Sequence, residues 1–140
     1  MHFTEELLQF LWRKRAYSTE GLKTTSGKDV VILNPGRQNS DAGPDFLNAR
    51  VRVKEIEWAG NIELHLKSSL WKEHGHQKDP AYENVILHVV LEDDQPVNDK
   101  NGSILNTIEL SDRCDAKSVE RYTELMATLD DIPCQHSVSQ

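Results

Sequence analysis

Apolar residues alternate with polar ones in two stretches of the chain and recur every third or fourth position in two others. From Phe46 to Val53, Leu47, Ala49, Val51 and Val53 fall on one side, with Asn48, Arg50 and Arg52 on the other. Trp58 to Lys67 alternates in the same way, and a period of two is the signature of a strand. The short link between the two runs predicts an antiparallel hairpin. Val85 to Leu91 is almost continuously apolar and rich in β-branched residues, which predicts a central strand buried on both faces. A turn at Ser26-Gly27-Lys28 leads into a short strand, Val30 to Leu33, and the Asn101-Gly102 turn leads into an edge strand from Ile104 to Leu110.

Helical spacing appears at both ends. Thr4 to Arg15 has an N-cap residue at Thr4, acids at Glu5 and Glu6, a broad apolar face from Leu7 to Trp12, and a basic end. Ala116 to Leu129 spaces Val119, Tyr122, Leu125, Met126 and Leu129 along a second helix, which Pro133 stops. Ser68 to His74 predicts a helical turn, and Asn34 to Pro44 breaks regular structure with two glycines and two prolines. The sum is an α/β domain, a mixed central sheet flanked by helices, over residues 1–134, with a loose tail at 135–140.

Composition adds limits. At 140 residues the chain suits one hydrophobic core. Its formal charge of −7 argues against broad phosphate binding and leaves nucleic acid only a local site among Arg13 to Arg15, Arg50, Arg52, Lys54, Lys67 and Lys72. The longest apolar run is too short to span a bilayer, so no membrane role is expected. The start, Met-His-Phe-Thr-Glu-Glu, lacks the features of a signal peptide, and Cys114 and Cys134 sit in unrelated contexts. A reduced cytoplasmic protein is the expectation.

The chemistry concentrates in Asn61-Ile-Glu-Leu-His-Leu-Lys67, where Asn61, Glu63, His65 and Lys67 share one strand face. Asp45 opens the preceding strand. Two carboxylates from neighbouring strands can hold a divalent metal, Mg²⁺ or Mn²⁺ first, with His65 and Lys67 as catalytic groups that activate water and steady charge. Glu6 can join if the first helix packs beside the strands. The order Pro44-Asp45 followed by Glu63-Leu64-His65 resembles the PD-(D/E)xK nuclease superfamily, with His65 where that family has lysine. The resemblance implies a restriction-endonuclease-like core and a metal-dependent phosphodiesterase.

A second constellation gathers His65, His74, His76, Asp79 and His88. The His74-Gly75-His76 pair can chelate zinc if further ligands converge, which defines a zinc-dependent hydrolase as a competing expectation. The plain alternatives are surface carboxylates on a solvent-facing sheet, a core histidine at His88, and a non-catalytic binding or scaffold domain. No phosphate-binding loop or nucleophile elbow is present, so nucleotide binding through such a loop and covalent catalysis have no support.

Longer runs carry a more specific resemblance. Asn34-Pro-Gly, then Gln38 to Phe46, Gly60 to Trp71, His74-Gly-His76 and Asp79 to Val90 together resemble an uncharacterised bacterial family, domain of unknown function 2851. The likeness covers roughly residues 4–134. It implies a bacterial cytoplasmic protein whose relatives are generally longer, this chain corresponding to their N-terminal part, and it brings no activity with it.

Overall fold

The computed structural model describes residues 3–130. Helix α1 spans Glu5–Arg13, and the Thr4 hydroxyl caps it by accepting from the Leu7 N–H at 3.1 Å. Strands β1 (Val30–Asn34), β2 (Arg37–Gln38), β3 (Phe46–Val53) and β4 (Ile56–Lys67) follow. A crossover holds the one-turn helix α2 (Leu70–Glu73) and two 3-10 turns, His76–Lys78 and Pro80–Tyr82. Strands β5 (Val85–Glu92) and β6 (Thr107–Glu109) and helix α3 (Ala116–Asp130) complete the order. The fold is mixed α/β, as the hydrophobic pattern predicts.

The sheet runs β1-β3-β4-β5-β6, with β2 paired to β3. The first part is antiparallel, including the expected β3–β4 hairpin. β5 lies parallel to β4, and β6 parallel to β5. A parallel pair requires the chain to cross back over the sheet. Here the crossover lays Trp71, His76 and Tyr82 over the polar face of β4 and β5. Helix α1 covers the opposite face, where Leu8 and Trp12 join Phe46, Val51, Ile62, Leu64, Leu87 and Val89 in the main core. Residues 85–90 of β5 are accordingly all buried.

Three expectations change. The inward residue at the start of β3 is Phe46, not Leu47, because a bulge intervenes between Phe46 and Ala49. Asn48 adopts φ 58° there, and its N–H is taken by the Asn61 side chain at 3.2 Å. The loop at 34–44 is not wholly irregular, since Arg37 and Gln38 pair with β3. Gly36, at φ 91°, permits that approach, because a Cβ there would lie 2.9 Å from the Leu47 carbonyl oxygen. The last strand is shorter than Ile104 to Leu110. Ile104 bridges back to Asn98 across the tight turn, so only Thr107–Glu109 joins β5.

Helix α3 packs Val119 and Tyr122 against Leu7, Phe10 and Leu11, while Leu125 is exposed. Pro133, Cys134 and the tail at 135–140 lie outside the described residues. No helix among the described residues is long and apolar enough to cross a membrane.

Candidate metal centre

β3 begins at Phe46, opposite Ile62, so β4 runs on beyond it with an unpaired edge. Carboxylates fill that edge. Asp45 Oδ2 accepts from the Leu64 N–H at 2.9 Å, and the half-buried Glu5 carboxyl faces the Leu66 backbone, which favours its charged form. Asp45 Oδ1 also accepts from Gln9 Nε2 at 3.1 Å. Its own N–H donates to Glu63 Oε1 at 3.1 Å. Asp45 is thus tied to strand and helix through both oxygens.

Glu63 is buried and reaches the other way with its second oxygen. Oε2 lies 2.9 Å from His76 Nε2 and 3.3 Å from His65 Nε2. Neither approach is aligned as a hydrogen bond, and both imidazole nitrogens are buried without a hydrogen-bond partner. His65, His74 and His76 each bring a ring nitrogen within 4.8 Å of the other two. Donors on a tetrahedron of ~2.0 Å bonds stand ~3.3 Å apart, so the two spacings about Glu63 Oε2 suit a shared ion. The three histidines could hold a metal ion.

Packing sets the orientation of each ring. Tyr82 stacks on His76 with centroids 3.8 Å apart, and Trp71 meets His76 edge-on at 5.3 Å. His65 stacks against His76 at 5.2 Å. On its far side, His65 Nδ1 is 2.8 Å from Nε2 of the fully buried His88.

Burial also decides charge. It pushes the imidazoles down from 6.5, His65 to about 2, His88 to about 3 and His76 to about 4, with neighbouring histidines adding to the effect. They are therefore neutral near pH 7, the form that donates a lone pair to a metal. Burial first, and then the adjacent Asp45, raise Glu63 to about 9, so in the metal-free fold it holds a proton near pH 7 that a cation would have to displace. Asp45 and Glu5 are raised as well, by burial first.

Of the residues singled out in the sequence, Asp45, Glu63, His65, His74, His76 and His88 come together. Glu63, His65, His76 and His88 are buried beneath the crossover, Asp45 is half-buried and His74 is exposed, so Glu63 at least is no surface carboxylate. Lys67 is exposed at the end of β4. Asp79 is exposed and accepts from the Ala81 N–H at 2.9 Å, capping the second 3-10 turn. On α1 it is Glu5 that faces the strand edge, while Glu6 is exposed. Glu5 and Gln9 were not anticipated, although their spacing of four puts them on one helix face.

No curated protein and no solved structure matches the chain, and nothing found supports a relationship to the PD-(D/E)xK nucleases or confirms an endonuclease-like core. A family model does match, over residues 5–140. The chain therefore belongs to the family described as "Protein of unknown function (DUF2851)".

Proposed function

We propose that this domain is a metal-dependent hydrolase whose centre is of the zinc type, with Glu63, His65 and His76 as ligands and the exposed His74 beside a fourth position left for water. One observation carries the reading: two buried imidazole nitrogens without hydrogen-bond partners face one carboxylate oxygen at 2.9 and 3.3 Å. Borderline nitrogen donors suit Zn²⁺ better than Mg²⁺, which prefers an all-oxygen shell and bound waters. Asp45 has both oxygens in hydrogen bonds, so it serves as a brace for β4 and Glu63 rather than as a ligand. A divalent cation held there supplies Lewis acidity, lowering the pKa of a nearby water and polarising a substrate oxygen.

The chain's own groups do the rest. Glu5, half-buried and within electrostatic reach of His74, is placed to take a proton. Lys67, at the exposed end of the same strand face, meets an anionic substrate, which makes a phosphodiester the first class to assay. The test uses untagged protein: metal content after purification, then hydrolysis of bis(p-nitrophenyl) phosphate and p-nitrophenyl acetate with Zn²⁺, Mn²⁺ or chelator. The proposal expects about one zinc per chain and hydrolysis that chelator and His65→Ala both abolish. Failure to retain or take up metal under any of these conditions overturns it.

A second reading keeps the metal and drops the reaction. His74 and His76 belong to a crossover built from single helical turns, so the same ion would clasp that segment onto the sheet. Bound zinc with raised stability and no hydrolysis of either substrate selects this reading.

A further inference from the structure

β5 reads Val85-Ile-Leu-His-Val-Val90, and every one of these residues is buried. His88 is the only polar residue among them, at 0 % exposure. Its Nδ1 is buried with no hydrogen-bond partner. An aliphatic residue would fill the same place without bringing an unpaired nitrogen of its own, so the hydrophobic packing alone gives no reason for an imidazole. Its other nitrogen does have a partner, His65 Nδ1 at 2.8 Å.

We infer that His88 is a positioning residue for the centre, accepting a hydrogen bond from His65 Nδ1–H and so presenting the bare Nε2 of His65 to the cation. The inference rests on the metal reading proposed above and adds a residue that makes no contact with the ion. The proton count enforces it. A neutral imidazole has one N–H, and a ligand nitrogen must have none. His65 Nε2 faces Glu63 Oε2 and the His76 ring, so the His65 proton must sit on Nδ1. His88 Nε2 must then accept, which places the His88 proton on Nδ1, the atom left without a partner beside Trp71. The bond also fixes the rotation of the His65 ring and raises the basicity of Nε2. Neighbouring strands make this possible: Glu63 sits opposite His88 in the parallel register, and His65 reaches back across that pair.

The test compares wild type, His88→Val and His88→Gln in untagged protein. Zinc affinity is measured by competition with a chromophoric chelator, and site geometry from the absorption spectrum of the Co²⁺-loaded protein. His88→Val, which removes the acceptor, is expected to weaken zinc binding about 10- to 100-fold and to alter the cobalt spectrum. His88→Gln, which restores an acceptor, is expected to recover most of both. Equal affinity and spectra in wild type and His88→Val overturn the inference while leaving the metal reading intact. Should the valine variant fail to fold, long-range ¹H–¹⁵N spectra of the zinc-loaded wild type still decide. They are expected to show the Nδ1–H tautomer at His65, and the Nε2–H tautomer overturns the inference. A wild type that takes up neither Zn²⁺ nor Co²⁺ overturns the metal reading itself, and the inference falls with it.

Discussion

The Asp45 N–H donates to Glu63 Oε1 at 3.1 Å, so the residue that leads into β3 holds one oxygen of the buried acid and turns the other toward two imidazoles. The two carboxyls are therefore neighbours with different work. Glu63 is the hinge of the site, and Asp45 is its support.

Glu63→Gln separates ligation from support. The amide oxygen can still accept from the Asp45 N–H, but a neutral amide is a poor partner for a divalent cation. Zinc affinity is expected to fall by at least about tenfold. Thermal stability in chelator is expected to hold or rise, because a buried carboxyl whose charged form is penalised by burial has been removed. Chelator competition and melting curves read the two effects separately. Unchanged zinc affinity would remove Glu63 from the ligand set.

Asp45 predicts the reverse pattern. Asp45→Ala leaves the Leu64 N–H at the strand edge and the Gln9 amide without their acceptor, at a cost of about 1–3 kcal/mol. Asp45→Asn keeps an acceptor for Leu64 and is expected to lose less than half of that. Zinc affinity of the asparagine variant is expected to stay within about threefold of wild type, well short of the loss that follows removal of a ligand. A loss as large as that of Glu63→Gln would make Asp45 a ligand.

Much of this arrangement is legible in the sequence, and the exceptions have physical causes. Period-two alternation identifies β3 and β4 and puts Glu63 and His65 on one face, and the apolar run identifies β5 as buried. Alternation says which side chains share a face but not what covers that face. The meeting of His74 and His76 with His65 depends on where the crossover lands, a long-range packing event with no local signal. The bulge at Asn48 breaks the alternation, so Phe46 takes the inward place assigned to Leu47. Glu5 and Glu6 are adjacent in sequence but about 100° apart around α1, and only docking of the helix selects Glu5.

Gly60 fixes how closely β4 and β5 approach just before the site. A Cβ there would lie 2.6 Å from the Asn84 carbonyl oxygen and 2.6 Å from Ile86 Cγ2. The Asn61 N–H bonds to that same carbonyl at 2.8 Å, so the backbone cannot yield without losing a ladder bond. Gly60→Ala is expected to destabilise the fold by about 1–3 kcal/mol and to weaken zinc binding by displacing Glu63. Urea unfolding with and without zinc measures both. A stability loss with wild-type zinc affinity would show that the site tolerates movement of the strand pair.

Acid should unfold the metal-free chain, and the histidines set where. His65, His88 and His76 stay neutral in the fold down to about 2, 3 and 4, whereas in the unfolded chain they take up protons near 6.5. Below pH 6.5 the unfolded state binds more protons, so the stability these three contribute is complete above 6.5 and is lost as pH falls toward their folded values. Each loses about 1.4 kcal/mol per pH unit, so by pH 5 the three together remove up to about 6 kcal/mol, comparable to the whole stability of a small domain. Glu63 and Asp45 act in the opposite sense. Their raised values make their contribution complete below the ordinary carboxylate range and reduce it as pH rises, which moderates the loss on acidification. Melting curves in chelator are therefore expected to fall steeply between pH 6.5 and 4.5, and His76→Gln should flatten the slope by about 1.4 kcal/mol per unit. Saturating zinc binds only the neutral rings and should move the steep limb to lower pH. A flat melting temperature across this range would mean that the imidazoles are not held neutral, and the ligand-ready state of the centre would be lost with that result.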